Sequence, residues 1–150
     1  MIRPLGERPD LIGLTCEWHV PEFDPGGDFE HWRTARTREA QLGGVPCAWV
    51  AFVDDVPVGS VSLVESNMDT HSELTPWLAA LFVLPGYRGR GIGTALVRRC
   101  ESEALGAGFG RMYLYASEAR AYYPRFGWTH LAEDVYEDTQ VVLMGKDLTS

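Results

Sequence analysis

The sequence has only three cysteines, and their placement excludes several classes of protein. Cys16, Cys47 and Cys100 are an odd number, and they show neither the spacing of a metal site nor that of a redox motif. Each lies among apolar residues, so we expect reduced thiols in the core of a cytoplasmic protein. A disulfide scaffold is thereby excluded, and a nucleophilic Cys100 is the less favoured alternative.

Long apolar runs are also lacking. No stretch approaches the roughly 18 residues of a membrane-spanning helix, and the residues after Met1 do not form the apolar core of a signal peptide. The chain has 150 residues, of which 45% are hydrophobic, enough for one domain with its own core. We therefore expect a single domain over residues 1–150, a cytoplasmic location and no membrane partner.

Positive charge is scarce and unevenly distributed. The formal net charge is −8, which argues against a nucleic-acid partner because phosphate binding needs a basic face. No lysine or arginine lies between Glu39 and Tyr87, whereas four arginines cluster soon afterwards: Arg88, Arg90, Arg98 and Arg99. This distribution fits a polyanionic ligand near the arginines and a cationic ligand near the acids. The alternative explanation for most individual acids is solubility.

The stretch from Trp77 to Arg99 predicts a strand, a loop and a helix in succession. Trp77 to Leu84 is mostly apolar and has the length of a buried strand, which Pro85 would end. A helical pattern begins at Ile92, and three glycines lie around its start: Gly89, Gly91 and Gly93. First-turn N–H groups of a helix point into such a loop, and glycine lets an anion approach the backbone, so the loop is suited to a phosphate.

The residues after these glycines separate the known phosphate-binding loops. A Walker loop is excluded because Gly93 is followed by Thr94 and not by lysine, and a dinucleotide fingerprint needs a small residue where Thr94 or Leu96 stands. The segment Arg88-Gly89-Arg90-Gly91-Ile92-Gly93 resembles instead the Arg/Gln-x-x-Gly-x-Gly/Ala loop of the GNAT superfamily of N-acetyltransferases. In that family the loop binds the pyrophosphate of acetyl-coenzyme A.

A second segment resembles the same family. Tyr122-Tyr123-Pro124-Arg125-Phe126-Gly127-Trp128 is similar to its Phe-Tyr-x-x-x-Gly-Phe/Trp signature, with the signature tyrosine at Tyr123. Pro124 departs from the usual polar residue. Ala116 stands where many members carry an asparagine that contacts the cofactor, which removes one expected contact. Packing at the end of a helix is the alternative role for Tyr123 and the better reading for Tyr122.

The order of predicted elements agrees with this resemblance. We expect a GNAT-like α/β (α+β) fold with a mixed, mostly antiparallel sheet, a splayed central strand pair and about four helices. Helices are predicted at Pro9–Phe23, from Asp28 to before Gly43, from Ile92 to Gly106 and at Glu118–Phe126. Strands are predicted at Cys47–Val53, Val56–Glu65, Trp77–Leu84, Arg111–Tyr115, Thr129–Glu133 and Gln140–Lys146, with Ile2–Leu5 as a candidate first strand.

The resemblance also implies roles for individual residues. Backbone groups of Phe82 and Val83 would contact acetyl-coenzyme A, and the pyrophosphate would bind Arg88, Gly89, Arg90, Gly91, Ile92, Gly93 and Thr94. Tyr123 would protonate the leaving thiol. An alkyl ammonium needs a base at neutral pH, and Glu73 is our candidate, with Asp69 and His71 as alternatives. We expect no metal, because no step needs one and no ligand cluster is evident.

The predicted reaction is direct transfer of acetyl from acetyl-coenzyme A to a primary amine, on a small cationic molecule. Two alternatives stay open: a non-catalytic acyl-coenzyme A binding domain, and a protein or peptide N-acetyltransferase. A homodimer also stays open.

The aromatic side chains of the first two helices are assigned to the core or to the wall of an acceptor pocket: Trp18, His19, Phe23 and Trp32.

Overall fold

The computed structural model describes residues 1–116, 127–136 and 139–148, with the backbone alone for Asp69 and Thr139. These residues contain three α-helices and seven strands. The helices are α1 (Ile12–Phe23), α2 (Phe29–Glu39) and α3 (Ile92–Gly106). The strands are β1 (Ile2–Pro4), β2 (Cys47–Val53), β3 (Val56–Val64), β4 (Trp77–Val83), β5 (Arg111–Ala116), β6 (Thr129–Tyr136) and β7 (Thr139–Asp147).

The seven strands form one mixed sheet in the order β1-β2-β3-β4-β5-β7-β6. Neighbouring strands are antiparallel except β4 and β5, which are parallel. The β2–β3 hairpin turns at Asp54 and Asp55, both with positive φ (49° and 65°), as a tight hairpin turn requires. A single α-helix, α3, connects β4 to its parallel neighbour.

The two faces of the sheet bury different side chains, because neighbouring residues of a strand point to opposite sides. On one face, α3 packs Leu96 and Cys100 on Trp49 of β2 and Met112 of β5. On the other face, Ile12 of α1 joins a cluster with alternate β2 residues: Ala48, Val50 and Phe52. The β3–β4 connection covers the far half of that second face, where Met68 packs with Trp77, Val141 and Leu143.

Comparison with the sequence confirms the predicted fold class and the candidate first strand, and it corrects several boundaries. A short 3₁₀ turn, Pro9–Leu11, precedes α1. Asp28 caps α2 as predicted, accepting a hydrogen bond from the Glu30 amide at 2.9 Å. That helix ends at Glu39, before Gly43 as predicted, whereas β6 extends to Tyr136, beyond its predicted end at Glu133. The predicted fourth helix at Glu118–Phe126 lies outside the described residues.

Candidate active site

Strand β4 carries an irregularity in its middle. Ser60 and Ser62 of β3 pair with Phe82 and Ala79, so two steps along β3 match three along β4. The extra residue makes a β-bulge, and Ala80 within it has φ of 52°, a left-handed conformation that costs a residue with a Cβ about 1–3 kcal/mol. Such a bulge re-aims the backbone groups beside it, here those of Leu81 and Phe82.

The parallel strands β4 and β5 part from each other at the same place. Their register contains one pair in the described residues, Trp77 with Tyr113, and the Tyr113 amide donates to the Pro76 carbonyl at 3.0 Å. The strands run in the same direction, so the opening lies beyond Trp77 on the side of the bulge. Backbone groups of β4 in this opening have no β5 ladder to bond. The predicted splayed strand pair is therefore confirmed.

The glycine loop connects the bulged strand to α3. A 3₁₀ turn at Pro85–Tyr87 leads to Gly89 and Gly91, whose φ angles of 79° and 83° favour glycine. Gly91 is the N-cap of α3, and its carbonyl accepts the first helical hydrogen bond from the Ala95 amide at 3.0 Å. The amides of Ile92 and Gly93 precede that bond, and the positive end of the helix dipole lies here.

A pocket of about 370 Å³ joins the opening to this loop. Its lining comes from the end of α1, the second half of β4 and the loop: Glu22, Leu81, Phe82, Val83, Tyr87, Arg88, Gly89, Gly91, Ile92, Gly93 and Thr94. It thus brings together all the residues predicted to bind cofactor except Arg90. A Cβ added to Gly89 or Gly91 would have no protein atom within 4 Å, so the space beside both glycines is open to a ligand.

Two arginines of the loop contact different neighbours: Arg88 contacts β4, and Arg90 contacts the 3₁₀ turn before the loop. The Arg88 Nε donates to the Val83 carbonyl at 2.8 Å, and its guanidinium lies 5.8 Å from the centre of the Phe82 ring. Arg90 donates to the Gly86 carbonyl at 3.4 Å and lies over Tyr87 at 5.1 Å. Arg88 therefore links the loop to β4 at the pocket, whereas Arg90 lies outside the pocket lining.

Helix α1 borders the pocket opposite the glycine loop through Glu22. The Trp18 ring stacks on Phe82 with centroids 5.7 Å apart and planes at 27°, and Glu22 lines the pocket one turn further on. Phe23 and Trp32 stack on each other at 6.4 Å, with Phe23 44% exposed. His19 is fully buried among these rings. Glu22 was not predicted, because it lies more than sixty residues from the loop and has no motif of its own.

The predicted base lies in a cluster of charged groups before β4. The Glu73 carboxylate is 3.8 Å from His71 Nδ1, and its side chain is 68% exposed. His71 Nε2 lies 2.9 Å from the Asp134 carboxylate of β6, and this hydrogen bond lowers the pKa of Asp134. Of the two alternative bases, His71 is therefore fixed by a carboxylate. For the other alternative base, Asp69, the structure describes the backbone alone. Asp134 was not predicted, because it comes from a distant strand.

The remaining predicted residues have different outcomes. The proposed acid Tyr123 and its neighbours Tyr122 and Pro124 lie outside the described residues. At the end of the second motif, Trp128 is buried in the core against α3. The three cysteines are free and buried, as predicted, and burial raises the pKa of the Cys100 thiol well above its usual value. This disfavours a Cys100 thiolate nucleophile.

The described residues contain neither a cluster of metal ligands nor a membrane-spanning helix. No group of three or more histidine, cysteine, aspartate or glutamate side chains there could hold a metal ion. No helix in those segments is long and apolar enough to cross a bilayer.

The family of the chain follows from a sequence comparison. The family model described as "Acetyltransferase (GNAT) family" matches residues 13–128, more than half of the chain. The chain therefore belongs to the GNAT family of acetyltransferases, whose acetyl donor is acetyl-coenzyme A. The predicted family and enzyme class are thereby confirmed. No curated protein matches the sequence significantly.

Solved structures with the same fold match nearly the full length of the chain. An aminoglycoside 6'-N-acetyltransferase complexed with coenzyme A has a TM-score of 0.78 at 17% identity, covering 100% of this chain and 98% of that one. An acetyltransferase from Salmonella typhimurium with acetyl-CoA has a TM-score of 0.69 at 18% identity, covering 100% and 94%. The NatC complex bound to Gag peptide and CoA gives 0.73 at 15%, covering 99% and 98%. At these identities the similarity concerns the fold.

Proposed function

We propose that this chain is an N-acetyltransferase that transfers acetyl from acetyl-coenzyme A directly to a primary amine on a small cationic molecule. The observation that carries the proposal is the opening between β4 and β5 beyond Trp77 and Tyr113, continuous with the glycine-loop pocket. When bound, acetyl-coenzyme A supplies the thioester. We further propose that residues 1–150 form one domain, supported by a single sheet from β1 to β7, and that it is cytoplasmic, which suits its free cysteines.

The donor side of the reaction rests on the backbone. Amides at the start of α3, with Gly89 and Gly91 in left-handed conformations, suit the diphosphate, and the nearby Arg88 guanidinium adds charge. We assign the predicted contacts from Arg88 to Thr94 to this role. Backbone groups of Phe82 and Val83 border the opening next to the bulge, where an N–H would polarise a thioester carbonyl.

The acceptor side rests on side chains. Glu22 gives the pocket a carboxylate, and no described residue forms a hydrogen bond or ion pair with it. Glu73 lies in the segment without positive charge that precedes β4. These acids favour a cationic acceptor, and the aminoglycoside 6'-N-acetyltransferases among the similar folds act on molecules of that kind. We assign deprotonation of the ammonium to Glu73 and protonation of the thiolate to Tyr123.

The test measures thiol release from acetyl-coenzyme A with a panel of amines, polyamines, aminoglycosides and peptides. We expect a cationic small molecule to give the highest kcat/KM. Its KM should rise with salt, because screening weakens long-range attraction. A neutral or acidic preferred acceptor contradicts the charge argument. A peptide preference supports the protein N-acetyltransferase instead, and coenzyme A binding without turnover on any member supports a binding domain.

A further inference from the structure

A buried chain of polar side chains joins helices α1 and α2 to strand β3. His19 Nε2 lies 2.9 Å from Ser60 Oγ, and His19 Nδ1 lies 3.2 Å from Arg36 Nη1. Arg36 Nη2 donates to the Glu39 carboxylate at 2.9 Å. All four residues are at most 5% exposed. The chain therefore runs through the core, and its end on the sheet is the Ser60 hydroxyl.

The direction of these hydrogen bonds follows from the chemistry of arginine. A guanidinium has only N–H donors, so His19 Nδ1 must accept from Arg36. Nε2 then carries the proton and donates to Ser60. Burial, together with the positive charge of Arg36, lowers the pKa of His19 to about 3, so the ring is neutral at physiological pH. Arg36 thus selects the tautomer in which His19 binds β3.

Ser60 lies opposite the part of β4 that borders the pocket. It pairs with Phe82 across β3 and β4, at the edge of the bulge. The His19 ring is 6.4 Å from the Phe82 ring, and the preceding residue, Trp18, stacks on that same ring. The His19–Ser60 bond therefore holds α1 where Trp18 stacks on Phe82 and Glu22 lines the pocket.

Stability alone does not account for this chain of polar groups. A buried ion pair costs desolvation, and apolar side chains of similar volume often hold a core equally well. Within the described structure, Arg36 Nε has no hydrogen-bond partner, which adds to the cost. Hydrogen bonds, however, fix direction where apolar packing does not. A buried polar chain that is costly for stability therefore fits a role in holding α1 in one orientation.

We propose that His19 is a positioning residue: through Ser60 it fixes α1 against the bulged β4, and so sets the acceptor side of the pocket. The inference rests on the proposed function for the identity of that side as the acceptor side. It assigns no chemical step to His19, which is buried beneath the pocket and is not part of the lining.

Two substitutions at His19 separate its two hydrogen bonds. His19→Gln places an amide nitrogen near the position of Nε2 and can still donate to Ser60, but it loses the acceptor for Arg36. His19→Asn places an oxygen near Nδ1 and keeps that acceptor, but it does not reach Ser60. Ser60→Ala removes the same bond with a smaller change in volume. Thr15→Ala is the control, because it removes a buried hydroxyl whose hydrogen bond, to the Ile12 carbonyl at 2.8 Å, stays within α1.

We expect His19→Asn and Ser60→Ala to raise the acceptor KM and lower kcat, roughly three- to tenfold in kcat/KM, the value of one hydrogen bond. The Kd for coenzyme A should stay unchanged, and His19→Gln and Thr15→Ala should keep most of the wild-type kcat/KM. A purely structural role would instead lower the melting temperature in all variants without separating acceptor KM from coenzyme A Kd, and that result would overturn the proposal.

Hydrogen–deuterium exchange tests the inference without turnover. In the coenzyme A complex, Ser60→Ala and His19→Asn should speed amide exchange at residues 79–83 and in α1, and leave β7 unchanged. Unaltered exchange at residues 79–83 overturns the positioning role even if the enzyme is active. Conversely, the wild-type protein could acetylate no amine while the two variants show the expected increase in exchange. That result would defeat the proposed function and support the positioning of α1.

Discussion

Trp77 of β4 and Tyr113 of β5 pair in parallel register, with their ring centroids 5.9 Å apart. On one side of this pair the strands are joined through the Pro76 carbonyl, and on the other side they diverge toward the bulge at Ala80. This pair is therefore the last point at which β4 and β5 are joined before the opening begins.

The first prediction concerns Gly91, the N-cap of α3. Gly91→Val introduces a β-branched side chain at φ of 83°, a conformation that valine avoids, and places methyl groups where a phosphate would approach. We expect the thermal shift produced by coenzyme A to disappear. Gly86→Ala is the control, since that glycine has ordinary φ and open space beside it. A preserved shift in Gly91→Val would place the diphosphate elsewhere.

The second prediction concerns Tyr123, which lies outside the described residues. Tyr123→Phe keeps the ring but removes the proton that our mechanism gives to the thiolate. General acids contribute about 10²- to 10⁴-fold, and we expect the lower end in kcat because a thiolate is a weak base. The Kd for acetyl-coenzyme A should change little, and Tyr122→Phe is the control. Wild-type turnover of Tyr123→Phe in a chemistry-limited assay would withdraw the assignment.

The third prediction separates Glu73 from His71, two of the three candidate bases that precede β4. Glu73→Gln should lower kcat/KM by about 10²-fold, as expected for the loss of a general base. Asp134→Asn, which removes the carboxylate that fixes His71, should have a smaller effect. The pH dependence of kcat/KM for both variants checks this. A larger loss in Asp134→Asn and His71→Gln than in Glu73→Gln would transfer the role to His71.

The fourth prediction links His19 to acid stability. The folded protein keeps His19 neutral down to pH about 3, whereas the unfolded chain protonates it below its ordinary pKa of 6.5. The free energy of unfolding should therefore fall as pH decreases through this window, by up to about 1.4 kcal/mol per pH unit. In urea titrations, His19→Gln should show a flatter pH profile.

Neighbouring charges do not change the sign of that comparison. Burial raises the pKa of Glu39, which makes stability fall as pH increases above its ordinary value, opposite to the effect of His19. Because Glu39 and Arg36 are present in both proteins, their contributions largely cancel in the difference. Parallel profiles for wild type and His19→Gln would mean that the folded state protonates His19 at its ordinary pKa.

Sequence information was sufficient where the chemistry is local. The spacing of Gly89 and Gly91 indicates a phosphate-binding loop, and the residue type of Asp28 indicates the start of a helix. The bulge in β4, in contrast, has no local sequence pattern. Ala80 adopts positive φ without being glycine, because the register with β3 requires a bulge there.

Contacts between distant segments were equally inaccessible from the sequence. His71 and Asp134 meet across 63 residues, and His19 and Ser60 across 41. Neither pair has a characteristic spacing, because the sheet order brings the partners together. Helix α2 ends before Gly43 as predicted, but its last residue, Glu39, has no local signal: no proline or glycine stands there, and Glu39 is fixed by Arg36 one turn before it.

The stack of Trp18 on Phe82 gives the pocket two sides of different origin. Under the proposed function, the donor is bound largely by main-chain groups, which most side-chain replacements leave in place, whereas the acceptor contacts individual side chains of α1. Sequence drift in α1 can therefore alter which amine is accepted while the same donor is retained. A library of variants at Trp18 and Glu22, selected on new amines, would use this inequality directly as an engineering route.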